Sequence, residues 1–81
     1  MTNETYDQSL NVALQTSGQS FTSRELECLQ WIIDGLTAKQ IARQMHISYR
    51  TVEAYVQSLK NKMKCHSKIQ LISKVLKLLI G

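Results

Sequence analysis

Proline is absent from this 81-residue chain, glycine occurs three times, and the stretch from Thr37 to Val56 contains neither. The helical hydrophobic rhythm of that stretch still breaks once, at Met45-His46-Ile47-Ser48, so the break is made without either of the usual helix breakers. No apolar run approaches the roughly 20 residues a bilayer span requires. The polar start MTNETYDQSL has no basic segment leading into an apolar block, which excludes a secretory signal. A soluble, cytoplasmic protein with no membrane partner is the expectation. Cysteine is scarce, and Cys28 and Cys65 lack the close C-x-x-C spacing of a zinc or redox site. Both read as small, reduced, buried hydrophobes, and neither a metal nor a cofactor is expected. Catalytic machinery is missing as well. There is no phosphate-cradling glycine-rich loop, and His46 and His66 lie near no evident nucleophile and base partner. Asp34, the only aspartate outside the first twenty residues, sits at a predicted helix end, so the chain does not read as an enzyme. It has no internal repeats and no low-complexity tracts.

A chain of this length buries only about 60% of the surface its unfolded form exposes, which means one small domain. Its charge is divided unevenly. Residues 1–38 hold one base and five acids, net −4, whereas residues 39–81 hold nine bases against Glu53 alone, net +8. The second half is a candidate surface for a polyanion. Residues 1–20 are rich in Thr, Asn, Ser and Gln and end in TSGQS, the composition of a tail or linker. Within them Tyr6, Leu10, Ala13 and Leu14 have the spacing of a short helix.

Residues 21–81 are punctuated as four helices. Thr22-Ser23-Arg24-Glu25 is a capping box that opens a helix with Leu26, Leu29 and Ile33 on its apolar face, Trp31 and Ile32 alongside, and Asp34-Gly35 at its end. Thr37-Ala38-Lys39-Gln40 repeats the pattern and opens a short second helix with Ile41, Ala42 and Met45 inward. Ser48 caps a third, whose inward stripe is Val52, Val56, Leu59 and Met63 with Tyr55. Ser67-Lys68-Ile69-Gln70 reads as one more capping box, and Ile69, Ile72, Val75, Leu76 and Leu79 carry a fourth helix to the C-terminus. The fold class is all-α.

The connection between the second and third helices is about three or four residues, which suits a crossing near 90–120° rather than an antiparallel return. That is a helix-turn-helix, and it accounts for the break at Met45–Ser48. Ala42 sits where the two helices touch, and His46 occupies the turn, where His is one of the few non-glycine residues enriched at positive φ. His46 is therefore read as a turn residue rather than as a ligand or base. Such a turn braces a long helix so that one face projects, as entry into a major groove requires.

These residues stand in the register of a known family. Thr22, Arg24, Glu25, Leu29, Gly35, Lys39, Ile41, Ala42, Ile47-Ser48, Thr51-Val52 and Lys62-Met63 together resemble the LuxR/GerE-type helix-turn-helix domain of bacterial transcription regulators. The resemblance covers residues 21–81. It implies a four-helix domain that binds duplex DNA, usually as a homodimer, with the last helix contributing to self-association; RNA polymerase is a separate candidate partner. Because no sensory or receiver segment precedes the domain here, the chain is similar to stand-alone members, or to the excised domain of a longer regulator. Three positions depart from the family pattern: Ala38 where Asn is usual, Tyr55 where His is usual, and Glu53 where Lys is frequent.

With Val52, Val56, Leu59 and Met63 inward, the third helix turns Arg50, Glu53, Ala54, Gln57, Ser58 and Asn61 outward. Arg50, Glu53, Ala54 and Gln57 are the candidate base contacts: Gln suits adenine, Glu the cytosine amino group, Ala a thymine methyl. For Glu53 the competing expectation is an ion pair with Arg50. Lys39, Arg43, Lys60, Lys62, Lys64 and Lys68 flank that face as candidate phosphate contacts, joined by the helix start at Ser48 and Thr51. Lys74 and Lys77 read as ordinary solvated surface. On the fourth helix Ile69, Ile72, Leu76 and Leu79 suffice for the domain's own core, which leaves Leu71, Val75 and Leu78 as a second stripe for a dimer interface. Two other readings compete, a protein-interaction adaptor on the same scaffold and a sigma-factor-like promoter-reading domain.

Overall fold

Hydroxyl side chains start the helices in this computed structural model, which describes residues 20–80. Thr22, Thr37 and Ser48 hold an extended backbone, with ψ of 160, 164 and 156°. Each hydroxyl accepts from the N–H three residues on, that of Glu25, Gln40 and Thr51 respectively. One otherwise unpaired donor per helix start is thereby satisfied. The resulting elements are α1 (Ser23–Ile33), α2 (Ala38–Met45), α3 (Tyr49–Lys62) and α4 (Lys68–Ile80), with no strand among the described residues. The all-α expectation holds. The short helix suggested by Tyr6, Leu10, Ala13 and Leu14 lies outside the described residues.

The capping boxes at Thr22 and Thr37 are complete, since Glu25 Oε1 and Gln40 Oε1 each accept from the capping residue's N–H at 2.9 Å. The box expected at Ser67 is half made. Ser67 Oγ accepts from Gln70 N–H at 3.1 Å, but the Gln70 side chain accepts from His66 N–H, one residue further back, at 2.7 Å.

Three helices end alike. Gly35, His46 and Lys64 take positive φ of 93, 57 and 56°. The next residue's N–H then returns to a carbonyl in the last turn: Leu36 to Trp31 at 3.1 Å, Ile47 to Ala42 at 3.0 Å and Cys65 to Lys60 at 2.8 Å. This left-handed closure favours glycine, yet only the first end uses it.

The core is formed by Cys28, Leu29 and Ile32 of α1, Ile41 and Met45 of α2, Val52 and Leu59 of α3, Met63 and Cys65 after it, and Leu71 and Val75 of α4. Both cysteines are free and buried, as expected. Burial pushes the Cys28 thiol up to about 11, with a smaller opposing pull from Lys68. α3 packs on α1, on α2 and on α4, and so occupies the centre of the domain.

α4 is rotated relative to its expected placement. Leu71 and Val75, assigned from sequence to a dimer interface, are fully buried in the domain's own core, with Ile72 and Leu79 packed beside them. Ile69 and Leu76, expected inside, are 79% and 39% exposed. Every turn of α4 carries aliphatic residues on more than one face, and the position of α3 decides which face is covered.

Candidate nucleic-acid interface

Between Met45 and Tyr49 the chain turns in three residues. His46 adopts the left-handed conformation at φ 57°, ψ 44°, and Ser48 immediately caps α3. Arg24 reaches from α1 to this corner, its Nη2 donating to Met45 O at 3.2 Å while Nη1 pairs with Glu27 at 2.9 Å. A cation at the C-terminal end of α2 satisfies an unpaired carbonyl and complements the helix dipole. The turn is thus fixed by backbone bonds and by a side chain from a third element.

On α3, Arg50, Glu53, Ala54, Gln57 and Asn61 are exposed, on the side opposite buried Val52, Leu59 and Met63. Gln57 Nε2 donates to Asn61 Oδ1 at 3.0 Å, which presents the two amides as one unit. Glu53 forms no ion pair with Arg50; among the described residues there are two ion pairs, Arg24–Glu27 and Lys62–Glu25. Tyr49 lies one turn back, and the Glu53 carboxylate favours its protonated phenol over the phenolate, which raises the Tyr49 pKa. Tyr49 is 43% exposed and belongs to this surface, although sequence reasoning passed over it. Ser58 does not face outward, because its hydroxyl donates to Glu25 Oε2.

The cations expected at phosphates divide into two groups. Lys39, Arg43 and Lys64 are exposed and Lys60 is half-buried. Lys62 is engaged: its Nζ donates to Glu25 Oε1 and to Ser20 O, both at 2.8 Å, and lies 5.4 Å from the Phe21 ring centre. Its charge is already matched, so a phosphate contact by Lys62 would compete with Glu25. Lys68 is half-buried with Nζ 3.4 Å from Leu36 O. Ser48 and Thr51 share a hydroxyl bond of 2.8 Å, and the Thr51 N–H is taken by Ser48, so their polar atoms serve the helix start first.

Glu25 is the residue whose role the sequence concealed. It is 4% exposed and gathers Thr22 N–H, the Ser58 hydroxyl and Lys62 Nζ. Burial, the largest single influence, raises its pKa, but the bonds from Lys62, Ser58 and Thr22 together outweigh it and hold the carboxyl at about 2. The capping box revealed the local bond; the partners on α3 lie 33 and 37 positions away, and no spacing rule reaches them. No group of His, Cys, Asp and Glu that could hold a metal ion occurs among the described residues, and none of their helices is long and apolar enough to cross a membrane.

The family model described as bacterial regulatory proteins, luxR family, matches residues 19–75, from before α1 into α4. Similar proteins include the probable transcriptional regulator ycf29 of Guillardia theta, 41% identical over 69 residues, which are 79% of this chain and 33% of that protein. The uncharacterized response regulatory protein YgeK of Escherichia coli strain K12 is 40% identical over 63 residues, 78% of this chain and 43% of that protein. A nitrate/nitrite response regulator protein homolog of Haemophilus influenzae is 42% identical over 50 residues, 62% of this chain and 24% of that protein. The chain therefore spans less than half the length of these relatives. No solved structure matches it.

Proposed function

The chain belongs to the luxR family of bacterial regulatory proteins, and on that premise we propose that it regulates transcription by binding duplex DNA sequence-specifically, as a homodimer, with α3 in the major groove. The observation that supports this most directly is the outer face of α3. Arg50, Glu53, Ala54, Gln57 and Asn61 are exposed together on the helix that the other three elements hold. Side chains of short or medium reach on a rigid helix suit base edges. Lys39 and Arg43 of α2, with Lys60, supply long cationic arms for the phosphate walls on either side.

The dimer surface in this proposal is the face of α4 left uncovered. Ile69, Leu76 and Ile80 are 79%, 39% and 86% exposed and follow one another at helical spacing. Two copies pairing along this stripe would remove its aliphatic groups from water.

Binding to a selected duplex, measured against salt, tests the reading. A dimer that neutralises roughly 6–10 phosphates loses about 10³–10⁵-fold in affinity between 50 and 200 mM salt. Absence of binding at any salt, or binding indifferent to salt, would refute it.

A further inference from the structure

We infer that the corner between α3 and α4 is a second anion site, suited to phosphoryl groups and separate from the outer face of α3. A cleft of about 340 Å³ opens there. Lys64, His66, Lys74 and Lys77 line it, with Gln70 and Ser73 between them, and no residue of the outer α3 face takes part. The α4 members follow one another at spacings of three, one and three, so they share a single helical face.

Lys64 stands in the turn between α3 and α4. It holds φ at 56°, a conformation that glycine adopts freely and a lysine does not. The other two exposed corners of this kind use Gly35 and His46, so backbone geometry does not require lysine here. The turn at Lys64 instead sets a cation in the lining of the cleft. Lys74 contributes a charge held in place, since its Nζ donates to Met63 O at 2.7 Å across the cleft wall. Gln70 is held likewise, its oxygen accepting from His66 N–H at 2.7 Å.

Among the described residues no acidic side chain lines the cleft, and the sequence contains none after Glu53. The lining also holds neither an aromatic ring on which a base could stack nor a guanidinium fork for planar two-point pairing. Ammonium groups, a hydroxyl and an amide select for charge and for oxygen acceptors in several directions, which is the chemistry of phosphoryl groups rather than of a nucleobase or a lone carboxylate.

The test uses the full chain and inorganic triphosphate at constant ionic strength, followed by amide chemical shifts and by calorimetry. Saturable shifts at Lys64, His66, Gln70, Ser73 and Lys77 are expected. Lys64→Gly should melt no lower than the wild type, because glycine suits the backbone there, while binding triphosphate about tenfold more weakly. Lys77→Gln should weaken binding comparably without touching the corner. No saturable binding at millimolar triphosphate, shifts confined to Arg50–Gln57, or affinity unchanged in both variants would each overturn the assignment. A second arm measures duplex DNA affinity in the same variants. A parallel loss identifies the phosphoryl source as a DNA backbone, and unchanged DNA affinity identifies a free phosphate-rich anion.

Discussion

Replacing Lys62 with methionine separates its two candidate roles, a phosphate contact and a partner for Glu25. Methionine keeps most of the aliphatic stem and deletes the charge. The consequence for the fold follows from the carboxyl. Glu25 has its pKa lowered from the ordinary 4.5 to about 2, and at about 1.36 kcal/mol per pH unit its ionised form contributes roughly 3 kcal/mol to stability at neutral pH. The Glu25 side chain is 6% exposed, so solvent does little to screen this figure. Because the folded pKa lies below the unfolded one, the contribution is complete above about pH 5 and is lost as pH falls toward 2. Removing the ammonium leaves a buried carboxylate with two of its three donors, at an expected cost of about 2–4 kcal/mol. For a domain of this size that is roughly 10–20 °C in melting temperature at pH 7. It should come with a flatter dependence on pH between 5 and 2. Circular dichroism melts at pH 7, 4 and 2.5 supply the stability, and DNA affinity at two salt concentrations, taken well below the melt, supplies the other half. The salt slope should barely move, because Glu25 already matches this charge. A variant that melts within a degree or two of the wild type, yet loses about one unit of salt slope, would show that Lys62 holds phosphate in solution and that the Glu25 pair does not persist.

Within the proposed interface, Gln57→Ala should cost about 1–3 kcal/mol on the best site and relax preference at one base pair per half-site, whereas Lys39→Ala should weaken all sequences alike and lower the salt slope by about one. A library of single-base variants measured at two salt concentrations distinguishes them, and the assignment of roles fails if Gln57→Ala scales every site equally. On α4, Ile69→Glu with Leu76→Glu should leave helicity intact and yield monomers by sedimentation, while Leu71→Glu should unfold the domain because Leu71 is fully buried. An unchanged mass for the double variant would remove the exposed stripe from the dimer. At the helix-turn-helix corner, His46→Gly should hold or raise stability by up to about 1 kcal/mol and His46→Val should lower it, since φ is 57° there; equal melts for the two would contradict the backbone account.

Local chemistry was legible in the sequence. The caps at Thr22, Thr37 and Ser48 and the turn at His46 depend on residues within four positions of one another, and they stand where spacing and side-chain type placed them. The expected outer face of α3 was legible for a related reason, since its inward stripe is apolar and its outer face polar. α4 lacks that contrast. Aliphatic residues on several faces left its rotation to be decided by tertiary packing, and Leu71 and Val75 went to the core instead of Ile69 and Leu76. The Lys62–Glu25 pair was not legible, because a lysine at the flank of an exposed polar face and a lysine paired with a buried acid look the same until the acid's position is known. The reversal at Lys64 carried no signal at all, for neither glycine nor asparagine marks it.

The central placement of α3 bears on motion. Surfaces that meet ligands are commonly drawn from the least stable parts of a fold, which open and reclose independently of the rest. Here the helix with the outward polar face is also the one enclosed by α1, α2 and α4. Its amides can exchange with solvent only when most of the domain opens, so hydrogen exchange along Val52–Leu59 should be among the slowest in the chain and should approach the global unfolding free energy. A face carried on such a helix is ordered before any partner arrives. Little backbone freedom would then remain to be lost on association, and discrimination between sequences would rest on side-chain fit and on how readily the partner deforms, rather than on folding coupled to binding.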